Sequence, residues 1–236
     1  MRLVLMQPYF FPYIGYFQLI RNCDCFVVFD SVQYIKQGWI NRNRVLHQAD
    51  GVQFINIPVQ RHPFGTKIRD ITIYSKSLSC DKICRQIEHY KKKSPYYDVV
   101  IEFLRNCFSF ETNYISEFNV HLLEKTCEFI GIPFPCRLYS TLPSGSAGDD
   151  NSADDWGLHV SRELGADTYI NAPGGIEFFN RSKYTDAGVE IKFIKPVLSP
   201  YDQKREAFEP GLSIIDVMMF NSPDEIKKML DNYEII

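Results

Sequence analysis

The stretch that decides the fold is Leu3-Val-Leu-Met-Gln-Pro-Tyr-Phe-Phe-Pro-Tyr-Ile-Gly-Tyr16, a short apolar run followed by a turn rich in aromatic residues. The run Leu3–Met6 predicts a buried strand that ends before Pro8, because proline cannot donate to a central ladder. The apolar residues after the turn suit a short amphipathic helix, and Cys25–Phe29 is a second buried strand that ends at Asp30. Strand, helix and strand predict a right-handed βαβ unit with parallel strands.

The aromatic turn, residues 7–16, lies beyond the carboxyl end of its strand, where open parallel sheets bind their ligands. Five of its ten residues are aromatic. Core packing is the prediction for its two phenylalanines and for Phe17. Gln7, Tyr13 and Tyr16 have polar ends that need hydrogen-bond partners when buried, so both core packing and ligand contact stay open for these three residues. The candidate substrate-binding residues of the turn are Gln7, Tyr13, Gly15 and Tyr16.

The turn has a counterpart in Rossmann-like nucleotidyltransferases, where the same place carries His-x-Gly-His and the imidazoles contact nucleotide phosphates at a helix N-terminus. Here the pattern is Tyr13-Ile-Gly15-Tyr16. The position, the glycine and the preceding proline are similar to that fold. The missing histidines weigh against phosphate chemistry at this turn and favour contact with a sugar or acyl group.

The rest of the chain alternates between extended and helical patterns. Extended segments separated by turn residues predict a β-rich insertion at about residues 36–76, and helical periodicity then predicts a helical layer. Further α/β alternation follows, with Ser213 and Ser222 as N-caps of the last two helices. The predicted class is therefore α/β, a single domain over residues 1–236 with a Rossmann-like parallel sheet, for which a nucleotidyltransferase-like fold stays open as one alternative. The predicted extended segments are Trp39–Leu46, Val52–Val59 and Lys67–Tyr74. The helices of the predicted layer are Ser79–Lys93, Pro95–Phe108 and Thr112–Ile130.

Composition excludes several classes of protein. The formal net charge of −3 and the pI of about 6.0 argue against a nucleic-acid partner. No apolar window approaches the roughly 18 residues that cross a bilayer, and seven cysteines without a signal peptide indicate free thiols in the cytoplasm. No metal-ligand spacing occurs, and we expect no metal or cofactor.

A second constellation is Gly38-Trp-Ile-Asn-Arg-Asn-Arg44. On a strand, alternation places Asn41 and Asn43 on one face and Arg42 and Arg44 on the other. Arginine binds phosphate or carboxylate in a bidentate manner, and a nucleotide-sugar diphosphate or carrier phosphopantetheine would suit this face. A solvated strand face is the alternative. The candidate substrate-binding residues here are Trp39, Asn41, Arg42 and Arg44.

Three single residues are candidates for acid–base work. His62 lies in the turn Arg61-His-Pro-Phe-Gly65 and is the predicted general base. Asp30 at a strand end is the predicted second catalytic group, whereas Asp216 is either a charged group of the site or an internal hydrogen-bond acceptor. Glycines after a later strand allow close approach of a ligand to backbone N–H groups. The candidate binding residues of that turn are Asn171, Gly174 and Gly175.

The chain also resembles a known family. The segments Gln7–Ile20, Asp30-x-x-Gln33-Tyr34 and Gly38–Arg44 are similar to the WbqC-like family, and the resemblance continues through Leu164–Ile170 and Phe208–Asp216. Members are similar to proteins encoded in O-antigen and other surface-polysaccharide clusters, often beside sugar aminotransferases and acyl carrier proteins, so the resemblance implies work on amino sugars. Members often show Ser-Gly-Pro-Ala where this chain has Asn-Ala-Pro-Gly, a departure that puts phosphate binding there in doubt.

Three functions follow as hypotheses. The first is N-acyl or aminoacyl transfer to a nucleotide-linked amino sugar, with an acyl donor or acyl carrier protein as a possible partner. The second is a non-catalytic module that binds a nucleotide sugar or a carrier protein. The third is nucleotidyl or adenylyl transfer. The assignment of site residues requires Asp30, His62 and Arg42 to open onto one cleft with Tyr13.

Overall fold

The computed structural model describes residues 1–146 and 152–236, so residues 147–151 of the polar loop Ser144–Ser152 lie outside the described residues. The strands of the described part are β1 (Arg2–Met6), β2 (Cys25–Val28), β3 (Arg42–Leu46), β4 (Val52–Asn56), β5 (Cys136–Leu138), β6 (Thr168–Asn171), β7 (Glu190–Pro196) and β8 (Tyr233–Ile235). The α-helices are α1 (Ile14–Arg21), α2 (Lys76–Gln86), α3 (Tyr97–Phe108), α4 (Ile115–Ile130), α5 (Ala153–Leu164), α6 (Arg181–Asp186), α7 (Ile214–Phe220) and α8 (Pro223–Leu230).

Six strands form one sheet in the order β5-β2-β1-β6-β7-β8. The first five are parallel, and β8 is antiparallel to β7. The chain first extends the sheet from β1 through β2 to β5, and then continues on the other side of β1 with β6. The switch point, where α/β proteins bind ligands, therefore lies between β1 and β6. The predicted α/β class with a Rossmann-like parallel sheet is confirmed.

The alternation of side chains along β1 explains why both faces of the sheet are covered. Val4 packs with Phe26 in the larger core cluster, beneath helices such as α1 and α4. Leu3 and Leu5 point the other way, into the second cluster with residues of α5 and α6. Full burial of each such side chain contributes about 1.5–3 kcal/mol. A strand that is apolar at every position from Leu3 to Met6 thus requires layers on both sides.

The aromatic turn and α1 are part of the larger core. Phe10, Phe11 and Phe17 are fully buried, which confirms the prediction that they pack internally. Every residue of α1 from Ile14 to Ile20 is buried, because the helix is enclosed by the sheet and by α8. A short helix of this kind is stabilised by tertiary packing.

The insertion and the helical layer each differ from their prediction at one place. β3 and β4 form the expected antiparallel hairpin. The predicted third extended segment, Lys67–Tyr74, instead contains a 3-10 turn at Ile68–Asp70 and single β-bridges, because its backbone pairs with three separate segments rather than with one strand. The predicted helix Ser79–Lys93 divides at Ile87 into α2 and a 3-10 segment, Glu88–Lys92.

Within the described ranges, no helix is long and apolar enough to span a membrane. All seven cysteines are free thiols.

Candidate functional site

Side-chain amides from distant elements hold the aromatic turn in place. Asn43 of β3 is buried, and its amide donates to the carbonyls of Phe10 and Phe11 at 3.1 and 2.8 Å. Asn119 of α4 donates to the carbonyls of Pro8 and Ile40 at 2.8 and 2.7 Å. A turn with no regular ladder needs such partners for its buried backbone groups. No local pattern marks Asn119, because it lies in the middle of α4, more than a hundred residues along the chain from the aromatic turn.

The turn forms one wall of a small cavity, which we call the turn pocket. Its volume is about 230 Å³. The lining residues are Tyr9, Pro12, Tyr13, Trp39, Asn43, Arg44 and Gly211. Burial raises the pKa of Tyr9 and of Tyr13, so both phenols stay neutral at physiological pH. Aromatic rings with polar edges and one guanidinium group suit a sugar or another amphipathic ligand.

Arg44 is the charged group of the turn pocket. Its guanidinium lies over the ring of Trp39, 5.7 Å from the ring centroid, and its Nη2 donates to the carbonyl of Gly211 at 3.4 Å. The Nε of Arg44 has no hydrogen-bond partner among the described residues. The side chain is thus held on two sides and retains unused donors.

A larger cleft lies beside the hairpin, and we call it the hairpin cleft. Its volume is about 700 Å³. Three of its lining residues are cationic, Lys36, Arg42 and Arg61, and no carboxylate of the described chain is among the residues that line it. The remaining lining residues are Tyr34, Gln37, Asn41, Phe54, Asn56, Val59, Gln60 and His62. This composition favours an anionic ligand.

Arg42 is held in the hairpin cleft much as Arg44 is held in the turn pocket. Its guanidinium lies 4.4 Å from the ring centroid of Phe54, a diagonal neighbour across the hairpin, and its Nη2 donates to the carbonyl of Gln37. Its Nε has no partner among the described residues. Arg42 and Arg44 lie on one face of β3 with Cα atoms about 7 Å apart, so the two cavities are neighbours.

His62 lies at the hairpin cleft with its imidazole edge-on to Tyr34, at a centroid distance of 5.1 Å. Its Nδ1 is 3.1 Å from the carbonyl oxygen of Pro63. Because a carbonyl only accepts, Nδ1 carries the proton in the neutral ring and Nε2 keeps its lone pair. The structure therefore brings His62, Asn41 and Arg42 together.

Asp30 lies elsewhere, and the expectation that it shares a cleft with His62, Arg42 and Tyr13 is wrong. Its carboxylate accepts hydrogen bonds from the backbone N and the hydroxyl of Ser140, at 2.9 and 2.6 Å. It lines a third cavity of about 360 Å³ beside α4. The reason is topological: β2 pairs with β5, so the end of β2 meets the segment after β5.

Two residues of the turn have packing roles that the sequence left open. Tyr16 is 1% exposed, and its hydroxyl donates to the carbonyl of Gln7 at 2.8 Å. Tyr16 is not among the residues that line the turn pocket, and its contact with substrate stays a prediction. At Gly15 a Cβ atom would lie 2.5 Å from the ring of Tyr13 and 2.6 Å from Pro196. Gly15 is thus required for close packing behind Tyr13.

The turn after β6 lies outside both cavities. Asn171 accepts a hydrogen bond from the backbone of Ala172 at 2.7 Å. Gly174 and Gly175 fall in a 3-10 segment, Pro173–Phe178. These candidates stay predictions, as does Gln7. The residues that sequence reasoning missed in the two cavities include Tyr9, Lys36, Phe54, Arg61 and Gly211.

An open parallel sheet with a switch point, flanked by arginine-rich and aromatic cavities, defines a Rossmann-like α/β protein with a candidate site for an anionic ligand. The chain belongs to the WbqC-like protein family, whose family model matches residues 7–228. It is also similar to the uncharacterized protein Rv1507c of Mycobacterium tuberculosis, at 26% identity over 234 residues, which is 96% of this chain and 97% of that protein. No solved structure matches.

Proposed function

We propose that this protein is an enzyme of surface-polysaccharide synthesis that transfers an acyl or aminoacyl group to the amino group of a nucleotide-linked sugar. The observation that carries the proposal is the matched pair Arg42 and Arg44. Each guanidinium is stacked on an aromatic ring and tied to one backbone carbonyl, and each keeps an Nε without a partner in the described chain.

This pair suits a diphosphate. Two guanidinium groups on one strand face, about 7 Å apart at Cα, are able to donate to two adjoining phosphoryl groups at once. Arg61 and Lys36 add positive charge in the hairpin cleft. The sugar with its amine then occupies the hairpin cleft beside His62, and the nucleoside enters the turn pocket between Tyr13 and Trp39.

His62 supplies the acid–base chemistry. The sugar amine attacks the acyl carbonyl, the bond from carbonyl carbon to the donor's leaving group breaks, and Nε2 of His62 takes the proton that the amine loses. The same proton then passes to the leaving group. Asp30 is outside this scheme, because its carboxylate is bound by Ser140 beside α4.

The experiment combines the pure protein with UDP-glucosamine and related nucleotide amino sugars, each with a panel of acyl-CoA thioesters and aminoacyl donors. Intact-mass spectrometry detects an added acyl group on the sugar. We expect a product whose mass equals that of the sugar nucleotide plus the acyl group, less the one hydrogen that the acyl group replaces on the amine. No product across the panel, together with no binding by calorimetry, would refute the proposal.

A second function is favoured by one observation, that among the described residues no carboxylate lines the cleft that contains His62. Histidine bases are commonly oriented by such a group. A non-catalytic module that binds a nucleotide sugar would show tight binding in calorimetry and no mass change with any donor.

A further inference from the structure

Asp216 lies in α7 and is 0% exposed. Three side chains donate to its carboxylate: Tyr90 Oη at 2.5 Å, Tyr201 Oη at 2.5 Å and Gln203 Nε2 at 3.0 Å. Burial raises the pKa of this carboxyl, and the three hydrogen bonds act in the opposite direction. Removal of any partner would leave a buried charged or polar group unsatisfied, so the four side chains constrain one another strongly. We call them the Asp216 network.

The first donor connects the network to strand β3. The hydroxyl of Tyr90 also accepts a hydrogen bond from the backbone N of Leu46 at 2.9 Å. Leu46 ends β3, two residues after Arg44. The position of the strand that carries both candidate phosphate-binding arginines is therefore tied to Asp216 through one side chain.

The third donor connects the network to the opposite wall of the turn pocket. Gln203 holds the backbone of Glu209 twice, by Nε2 to the carbonyl at 3.0 Å and by Oε1 from the N–H at 2.8 Å. Two residues further on, the carbonyl of Gly211 accepts the hydrogen bond of Arg44. Gln203 thus links Asp216 to the backbone that fixes the guanidinium.

The start of α7 connects the network to the aromatic turn itself. The N–H of Ser213 donates to the carbonyl of Arg44 at 2.8 Å, and its hydroxyl donates to the carbonyl of Phe11 at 2.8 Å. The N–H of Ile214 donates to the carbonyl of Pro12 at 2.9 Å. The helix that bears Asp216 therefore begins on the third wall of the pocket.

We propose that Asp216 is a positioning residue of the turn pocket, whose carboxylate fixes the separation of β3, the segment 201–211 and the aromatic turn. It lines neither cavity and touches no ligand there. Its effect passes through Tyr90, Tyr201 and Gln203 to Arg44. That Asp216 fixes the separation of the pocket walls follows from the geometry alone, whereas the expected loss of ligand binding rests on the proposed function.

The test compares Asp216→Asn and Tyr201→Phe with the control Tyr184→Phe. The control removes a buried tyrosine hydroxyl that donates to the carbonyl of Asp154 at 2.8 Å, in the core cluster on the other face of the sheet. Hydrogen–deuterium exchange reports on residues 42–46 and 203–213, and calorimetry with UDP-glucosamine reports on binding. We expect D216N to raise exchange at least tenfold in both segments and to raise Kd at least tenfold. Y201F should raise exchange in 203–213 more than in 42–46.

The control should leave exchange in both segments and Kd unchanged. Unchanged exchange in D216N, or an equal rise in D216N and Y184F, would overturn the inference. If D216N does not fold, the exchange of Y201F in the two segments is compared with that of Y184F, and an equal rise in both variants would overturn the inference. If the unaltered protein fails to bind UDP-glucosamine, the proposed function loses its support, and the exchange data alone decide whether Asp216 positions the walls.

Discussion

The guanidinium of Arg42 lies over the ring of Phe54, 4.4 Å from its centroid, on the solvent face of the hairpin. The stacking orients the planar group, and the hydrogen bond to Gln37 fixes its rotation. Lysine reproduces the charge at this position but neither the stacking nor the paired donors. The geometry thus distinguishes a site that needs arginine from one that needs only a positive charge.

Substitution of Arg42 by lysine should weaken binding of UDP-glucosamine. Loss of hydrogen bonds to a charged phosphate costs about 1.5–3 kcal/mol, a rise in Kd of roughly 10- to 150-fold. Calorimetry measures the Kd of both proteins for UDP-glucosamine. The matched control is Arg181→Lys, because Arg181 also lies over an aromatic ring, Phe193, but lines neither cavity. Equal losses in both variants would argue against a phosphate role for Arg42.

His62→Gln should abolish turnover and spare binding. Loss of a positioned general base lowers kcat by about 10²–10⁴-fold, whereas the arginines that hold the nucleotide are unchanged. Steady-state rates and calorimetry on the same variant separate the two effects. The control is His159→Gln, an exposed histidine on α5. A variant at His62 with normal kcat would assign the base to another group.

Asp30→Asn should reduce stability more than activity. The carboxylate accepts two hydrogen bonds from Ser140 and is 2% exposed, and an amide cannot accept both through two oxygens. The free energy of unfolding should fall by about 1–3 kcal/mol, measured by urea titration. Ser140→Ala is the companion variant and should show a similar loss. A loss of turnover at unchanged stability would restore Asp30 to the catalytic group.

Gly15→Ala should disturb the turn pocket from behind. The added Cβ would lie 2.5 Å from the ring of Tyr13 and 2.6 Å from Pro196, so one of them must move. Overpacking of this kind lowers the free energy of unfolding by about 1–3 kcal/mol. Thermal unfolding should detect this loss of stability, and calorimetry should detect the weaker ligand binding. For thermal unfolding, Gly174→Ala is the control, because nothing lies within 4 Å of its added Cβ. An unchanged melting temperature in G15A would show that the turn yields without cost.

Local patterns predicted much of the fold because their causes are local. The apolar runs of β1 and β2 and the proline after the first strand were enough for the βαβ unit. The N-caps of α7 and α8 were also predicted correctly. The hydroxyl of Ser213 accepts a hydrogen bond from the N–H of Ile215, and Ser222 forms a capping box with Glu225. Alternation along β3 also placed Arg42 and Arg44 on the outward face.

The arrangement of the candidate site could not be predicted in the same way. Asp30 and His62 both follow strand-like segments, yet one is bound by Ser140, which is 110 residues away, and the other lies in the hairpin cleft. Tyr13 and Tyr16 are three residues apart in one turn, yet one lines a pocket and the other is buried with its hydroxyl bonded.

Sequence alone was sufficient for the strands of the βαβ unit, the caps of the last two helices and the residue types available for anion binding, because each depends on neighbours within a few positions. The tertiary structure decided which of those residues meet. Strand order, rather than distance along the chain, sets the cavity that each strand end faces. Hydrogen bonds between remote segments, such as Arg44 to Gly211 and Gln203 to Asp216, then fix the walls.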